Sequence, residues 1–322
     1  MTATFALLRA GMSRLWRADR TLTAVGLLML GTLLAALAGM ALDPRTIGGA
    51  PAWLKPAKFG LSTAVYSLTL AWVFERLPDW PRVRRAVSWT TAVVFTLEVA
   101  IIDVQAWRGT TSHFNVATLL DAVLFAVMGI AIAAQTLASA SVAYALWHQP
   151  IADRTMGAAL RAGMLITLIG ASTGGLMTTP TSAQLREARA TNQMAVSGAH
   201  TVGAPDGGAG LPGVGWSREH GDLRIPHFLG LHALQFLPLL AVVLGRRGRT
   251  AASVRMMRAL AASYAALFAV LLVQALRGEA LVAPSLTTTV LLGGWIIGTT
   301  VALLVTAPRR DTDLSPSAMT EA

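Results

Sequence analysis

Between Leu22 and Leu42 the chain carries no charged residue, and comparable apolar stretches recur to its far end. An uncharged run of about 20 residues, as a helix rising about 1.5 Å per residue, matches the hydrocarbon thickness of a bilayer. Inside a membrane every backbone polar group must be satisfied within the segment, which restricts spanning structures to helices and closed barrels. Runs this long and continuous specify helices. The further spans read from the sequence are 59–74, 87–107, 116–144, 158–177, 228–244, 259–276 and 285–307, so that eight helices result. The 59–74 run is short and needs its amphipathic flanks to cross.

With 54% hydrophobic and 13% charged residues, the composition agrees with a multi-span membrane protein. The net charge of +10 does not indicate nucleic acid, because the arginines gather at the ends of apolar segments. Seventeen basic residues fall on the side that holds both termini and nine on the other. By the positive-inside rule both termini are expected in the cytoplasm of a cell-membrane protein. The absence of cysteine excludes disulfides, thiolate metal sites and cysteine-ligated clusters.

Val104-Gln105-Ala106-Trp107-Arg108-Gly109 recurs as Val273-Gln274-Ala275-Leu276-Arg277-Gly278, each copy ending a span that runs outward. The starts of spans two and six, KPAKFGLS and RIPHFLGLH, echo one another in the same sense. The expected fold is therefore all-α and polytopic, built as two tandem four-helix halves in parallel repeat. A basic segment, 1–20, precedes the first half, 21–146. The second half, 157–307, carries an outward glycine-rich cap at 179–226, and a tail occupies 308–322. Within the cap, glycines from Gly203 to Gly215 with Pro205 and Pro212 exclude regular structure, while Leu211, Val214 and Trp216 suggest a loop packed on the bundle. A short amphipathic helix is expected before it, opened by Thr181 and Gln184 as a capping box. After it the chain is expected to enter span six as one unbroken helix.

Ionisable groups inside spans are costly and are functional candidates by default. Glu98, Asp103, Asp121 and His232 are placed in the outer half of the bilayer, with Asp121 about 12 Å below His113 by helix rise; Gln105 shares a helix face with Glu98 and Gln235 with His232, and Gln274 is the repeat's counterpart of Gln105. Arg108, Arg224 and Arg277, with Lys55 and Lys58, stand at outward span ends, where the topology rule least expects positive charge. Arginine favours bidentate contact with phosphate or carboxylate. Together these residues are read as an outward-facing site between the halves that recognises an anionic small molecule or lipid headgroup, for transport or membrane-embedded chemistry. The second reading is a redox protein carrying haem or a divalent ion through His113, His200, Asp206 and His232; the sequence requires no cofactor. His227 and His232, five apart, do not share a helix face as a chelating pair would. In outline, eight helices in two four-helix halves are similar to the haem A synthases. That family's ligands are histidines on even-numbered helices of both halves, but spans two and eight hold none here. The third reading is a structural or assembly subunit. The bilayer is the one partner implied throughout; nucleic-acid, hydrolase and nucleotide motifs are absent.

Overall fold

A computed structural model describes residues 2–245 and 251–307; the expected basic loop at 246–250 and the tail at 308–322 lie outside the described residues. The protein is all-helical, with two small ribbons at one end. In chain order the elements are α1 (Thr2–Ala18), α2 (Arg20–Leu42), β1 (Thr46–Ile47), β2 (Ala50–Pro51), α3 (Leu54–Phe74), α4 (Pro81–Arg108), α5 (Leu119–His148), α6 (Arg154–Met177) and α7 (Ser182–Thr191). Then follow β3 (Thr201–Val202), β4 (Gly221–Asp222), α8 (Arg224–Leu231), α9 (Ala233–Gly245), α10 (Ala251–Leu276) and α11 (Leu286–Thr306). β1 pairs antiparallel with β2, and β3 with β4.

Helix ends follow the local sequence. The Asp19, Thr118, Asp153 and Ser285 side chains each accept a backbone N–H of the first turn of α2, α5, α6 and α11. Thr181 and Gln184 form the expected reciprocal capping box on α7. α4 and α10 end alike: Gly109 and Gly278 both sit at φ 74°, a conformation that glycine adopts without steric cost. In each, the next residue returns its N–H to the buried glutamine of the repeated hexapeptide, Thr110 to the Gln105 carbonyl and Glu279 to the Gln274 carbonyl.

α2 packs on α3, α4 on α5, α6 on α8 and α9, and α10 on α11. Small residues bring the helices together. A methyl placed on Gly26 would sit 2.7 Å from Leu68, and one on Gly60 would meet the Leu33 backbone at 3.0 Å. Gly163 faces Ala233 and Leu234 in the same way, and Gly170 meets Gly230 so closely that a methyl would lie 2.5 Å from its Cα. Phe74, Leu70, Leu146, Leu160, Met164, Leu234 and Leu237 form a continuous core at the end away from the ribbons.

Six helices are long and apolar enough to cross a membrane, and a seventh results if α8 and α9 count as one bent span. Their outer faces are apolar and unpacked; Leu286, Leu304 and Val305 on α11 are all more than 70% exposed. That pattern suits lipid rather than water. α3 exists as a 21-residue helix, starting before the expected 59–74, yet is too polar to count among the six.

Two sequence expectations change. The sixth span is not one helix: α8 and α9 meet at His232 with a 46° bend. At the bend the Thr167 hydroxyl accepts from Leu234 N at 3.2 Å and donates to Leu231 O at 3.4 Å. Asp121 is not deep in a span, because α5 starts at Leu119 and leaves Asp121 in its first turn.

Candidate functional site

The glycine-rich segment and its flanks lie against the ends of α3, α6, α8 and α10 as a structured cap. Asp222, buried in β4, accepts from Ser217 N at 2.8 Å and from Arg224 through Nε and Nη2. Arg224 also donates to Gly215 O at 2.7 Å, and Lys58 Nζ donates to Val214 O at 2.7 Å. Trp216 packs edge-on against Phe228. On the other side, Ser197 N donates to Phe114 O and Val116 N to Ala195 O, so the α4–α5 loop is zipped to the strand of chain entering the cap.

Beneath the cap two acid–imidazole pairs flank Phe114. Glu98, on α4 and 1% exposed, places Oε1 3.4 Å from His113 Nε2, while its Oε2 has no hydrogen-bond partner. His113 Nδ1 lies 3.1 Å from the Ser112 hydroxyl, and its ring packs among Phe59, Phe114 and Phe125. In the cap, His200 Nδ1 lies 2.7 Å from Asp206 Oδ2, and Asp206 also accepts the backbone N–H groups of His200 and Thr201. The Phe114 ring sits 4.8 Å from that of His200. Phe114 takes φ 63°, a left-handed conformation rare for a bulky side chain, and such strain clusters at functional sites.

Electrostatics follows from that burial. Burial, then the nearby Lys55 charge, pushes His113 well below the ordinary imidazole range. Burial also lowers His200, although Asp206 opposes it. Asp206 is held far below the usual carboxylate range: burial alone would raise it, but His200 and the two backbone N–H groups outweigh that cost. Burial thus favours the neutral form of both imidazoles. With its Nδ1 proton directed at Asp206, His200 leaves Nε2 as a lone-pair acceptor.

Each arginine at an outward span end has a carboxylate partner within the protein. Arg108 pairs with Asp121 at 2.7 Å and with Gln105, Arg277 with Glu279 at 2.5 Å, and Arg224 with Asp222 at 2.6 Å. Gln105 donates to Asp121, and Gln274 to Ala280 O at 2.9 Å, so both glutamines tie helix ends to loops. Thr288, Arg277 and Ser285 hold Glu279 down at about 2. These groups brace the cap end, each neutralised by its own partner. Lys55 differs. Among the described residues none gives it a hydrogen bond or an oxygen within ion-pair distance; its ammonium stands 5.8 Å from the Phe59 ring centre, in the field of Glu98, Arg224 and Asp206.

His227 and His232 stand apart from the two pairs. His227 Nδ1 lies 2.8 Å from Gly170 O and 3.2 Å from Thr173 Oγ1, which joins α8 to α6. His232 stacks on Phe228 at the α8–α9 bend, where the Gln235 amide, correctly oriented, donates to the Leu231 and His232 carbonyls. No group of three or more His, Asp or Glu able to hold a metal occurs among the described residues, so His113, His200, Asp206 and His232 do not form one ligand set. Two open concavities, of about 610 and 440 Å³, lie along α1 at Phe5–Ser13 and around Arg76, Ile151 and Ala241, away from this cluster. The cluster itself is packed beneath the cap.

Sequence reasoning grouped Lys55 with the other outward span-end cations and did not single it out. The signal that could have raised it is compositional: of 26 basic side chains only Lys55 and Lys58 are lysines.

Fold and site define a class: an all-helical protein with six or seven helices able to cross a membrane and a capped acid–imidazole–lysine cluster at one end. Comparison with known protein families, with curated proteins and with solved structures finds no match to this chain.

Proposed function

We propose that the protein crosses the cell membrane eight times, with both termini cytoplasmic, and recognises an anionic ligand at an outward-facing site beneath the cap. The cap would close over that site between uptake and release, or during chemistry on the ligand. The observation that carries this reading is Lys55. Of the five outward span-end cations, it is the one that the described residues leave without a hydrogen-bond or ion-pair partner: Lys58 donates to Val214 O, and Arg108, Arg224 and Arg277 are each neutralised. A half-buried cation without an ion-pair partner is costly, and an arriving carboxylate or phosphate would supply one. Neutral imidazoles beside it lower the repulsion that two charged histidines would add.

Two tandem halves support the span count, with α3 completing the first. The offset between halves is constant at each contact. α2 maps to α6 at 137 residues, taking Gly26 to Gly163 and Leu33 to Gly170. α3 maps to α8 and α9 at 170, taking Gly60 to Gly230 and Ala64 to Leu234. Both helix crossings are thus made by equivalent residues. Gln105 maps to Gln274 at nearly the same interval, with matching glycine caps. The cap is the insertion that lengthens the second half between α6 and α8.

Purified protein in detergent or nanodiscs, titrated with phosphate and short carboxylates while its unfolding temperature is read, tests the site. A ligand-dependent rise lost in Lys55→Gln is expected. Arg108→Gln and Arg277→Gln should instead lower the starting stability and keep the ligand response. A response lost equally in all three variants would return the site to the arginines, and no response to any anion would end the reading.

A further inference from the structure

Lys55 is one of two lysines in a chain that otherwise uses arginine wherever it needs positive charge. The two are not interchangeable: a guanidinium stays charged and makes forked contacts, whereas an amine can lose its proton and act as a nucleophile. The chain's own ion pairs at the cap end, Arg45–Asp43, Arg108–Asp121, Arg224–Asp222 and Arg277–Glu279, all use arginine. Lys58 spends its ammonium on a carbonyl of the cap, Val214 O, and so has a structural use. Lys55 has none. It is partly buried, without a hydrogen bond among the described residues, beside the Phe59 ring and in the field of Glu98. Glu98 supplies a second, independent sign of a missing group: it is buried and its Oε2 has no partner.

We propose that Lys55 is a nucleophilic amine that forms an imine with the carbonyl carbon of a small keto acid or aldehyde held beneath the cap. The keto-acid form rests on the anion-site reading. The step balances without an oxidant or reductant. The Lys55 ammonium gives one proton to His200 Nε2, the lone-pair acceptor left when Asp206 holds Nδ1. Nζ then attacks the carbonyl carbon, a C–N bond forms as the C=O π bond opens, and one of the two Nζ protons passes to that oxygen, leaving a neutral carbinolamine with its nitrogen lone pair restored. Glu98 Oε2, as a carboxylic acid, protonates the hydroxyl, which departs as water while the nitrogen lone pair forms C=N. The resulting iminium keeps one positive charge, so a ligand carboxylate still finds a counter-charge. Substrate and water would enter and leave by displacing the cap, which the Lys58–Val214 and Arg224–Gly215 contacts hold in place.

Reductive trapping tests this in the full-length protein, in nanodiscs, with pyruvate or acetaldehyde and sodium cyanoborohydride, followed by peptide mapping. The expected result is a reduced adduct confined to Lys55, lost in Lys55→Arg and diminished in Glu98→Gln and His200→Ala, with Lys58 unmodified as the internal control. Adduct with neither probe, or equal labelling of Lys55 and Lys58, overturns the proposal whether or not the variants fold, because the wild-type chain alone decides it. The two readings separate cleanly. Trapping by acetaldehyde but not pyruvate keeps the imine and removes the anion site. Anion-dependent stabilisation that survives in Lys55→Arg without trapping in the wild type keeps the anion site and removes the imine.

Discussion

Phe114 holds an unfavourable backbone conformation because its ring is worth more than the strain. A left-handed residue other than glycine costs about 1–2 kcal/mol. Losing a buried phenyl costs about 3–5 kcal/mol, and this one touches His113, Phe125 and His200. Phe114→Gly should therefore destabilise by about 1–4 kcal/mol, by difference. Phe114→Ala should be worse, since it loses the ring and keeps the strain. Unfolding in detergent would show that order, and an alanine variant more stable than the glycine one contradicts it. Acid should loosen the same region. In an unfolded chain His113 and His200 would take up protons near pH 6.5, about their ordinary value. In the folded protein burial delays that uptake to lower pH. Between those limits the unfolded state binds more protons, so stability is full above about pH 6.5 and falls with acidification. The depressed Asp206 and Glu279 act in the same direction, their contribution being lost below about pH 4 as they protonate. Protease cleavage within the cap at pH 5 against pH 7.5 should report this, with the pH difference reduced in His113→Gln. Unchanged cleavage across that range would mean that the imidazoles are not buried in solution.

At the scale of elements, backbone approach rather than large side chains sets where helices cross. Gly170 and Gly230 leave no room for a methyl, whereas Gly129 on α5 has open space around it. Gly170→Ala and Gly230→Ala should each cost about 1–3 kcal/mol or more through overpacking. Gly129→Ala should be neutral or gain roughly 0.5–1 kcal/mol from helix propensity. Three thermal midpoints measured side by side test this, and equal shifts at all three would mean that the α6–α8 crossing is looser than described. The sequence made α6, α4 and the capping box on α7 legible, because end signals and apolar length act locally. The break at His232 was not legible. It depends on Thr167, 65 residues earlier, supplying a hydroxyl to the gap.

At the scale of the whole molecule, charge distribution at the helix ends makes a topological prediction. Reporters inserted at Gly208 in the cap and at Gln149 between α5 and α6 should be active on opposite sides of the membrane, the first outside and the second in the cytoplasm. The same side for both sites would remove the eight-span arrangement. The sequence by itself determined what depends on composition and local chemistry: helices, their capped ends, the membrane as solvent, a packed glycine-rich cap and a polar cap end. Glu98, His113, His200 and Asp206 could be named as candidates because ionisable groups are conspicuous in apolar surroundings. Only the tertiary structure decided which charges were already satisfied. Arg108, Arg224 and Arg277 looked like a ligand site until Asp121, Asp222 and Glu279 were found beside them. Lys55 looked like one of five equivalent outward cations until the described residues were seen to leave it without an ion-pair partner. Pairing depends on a few ångströms of separation between residues distant in sequence, and no pattern along the chain encodes that distance.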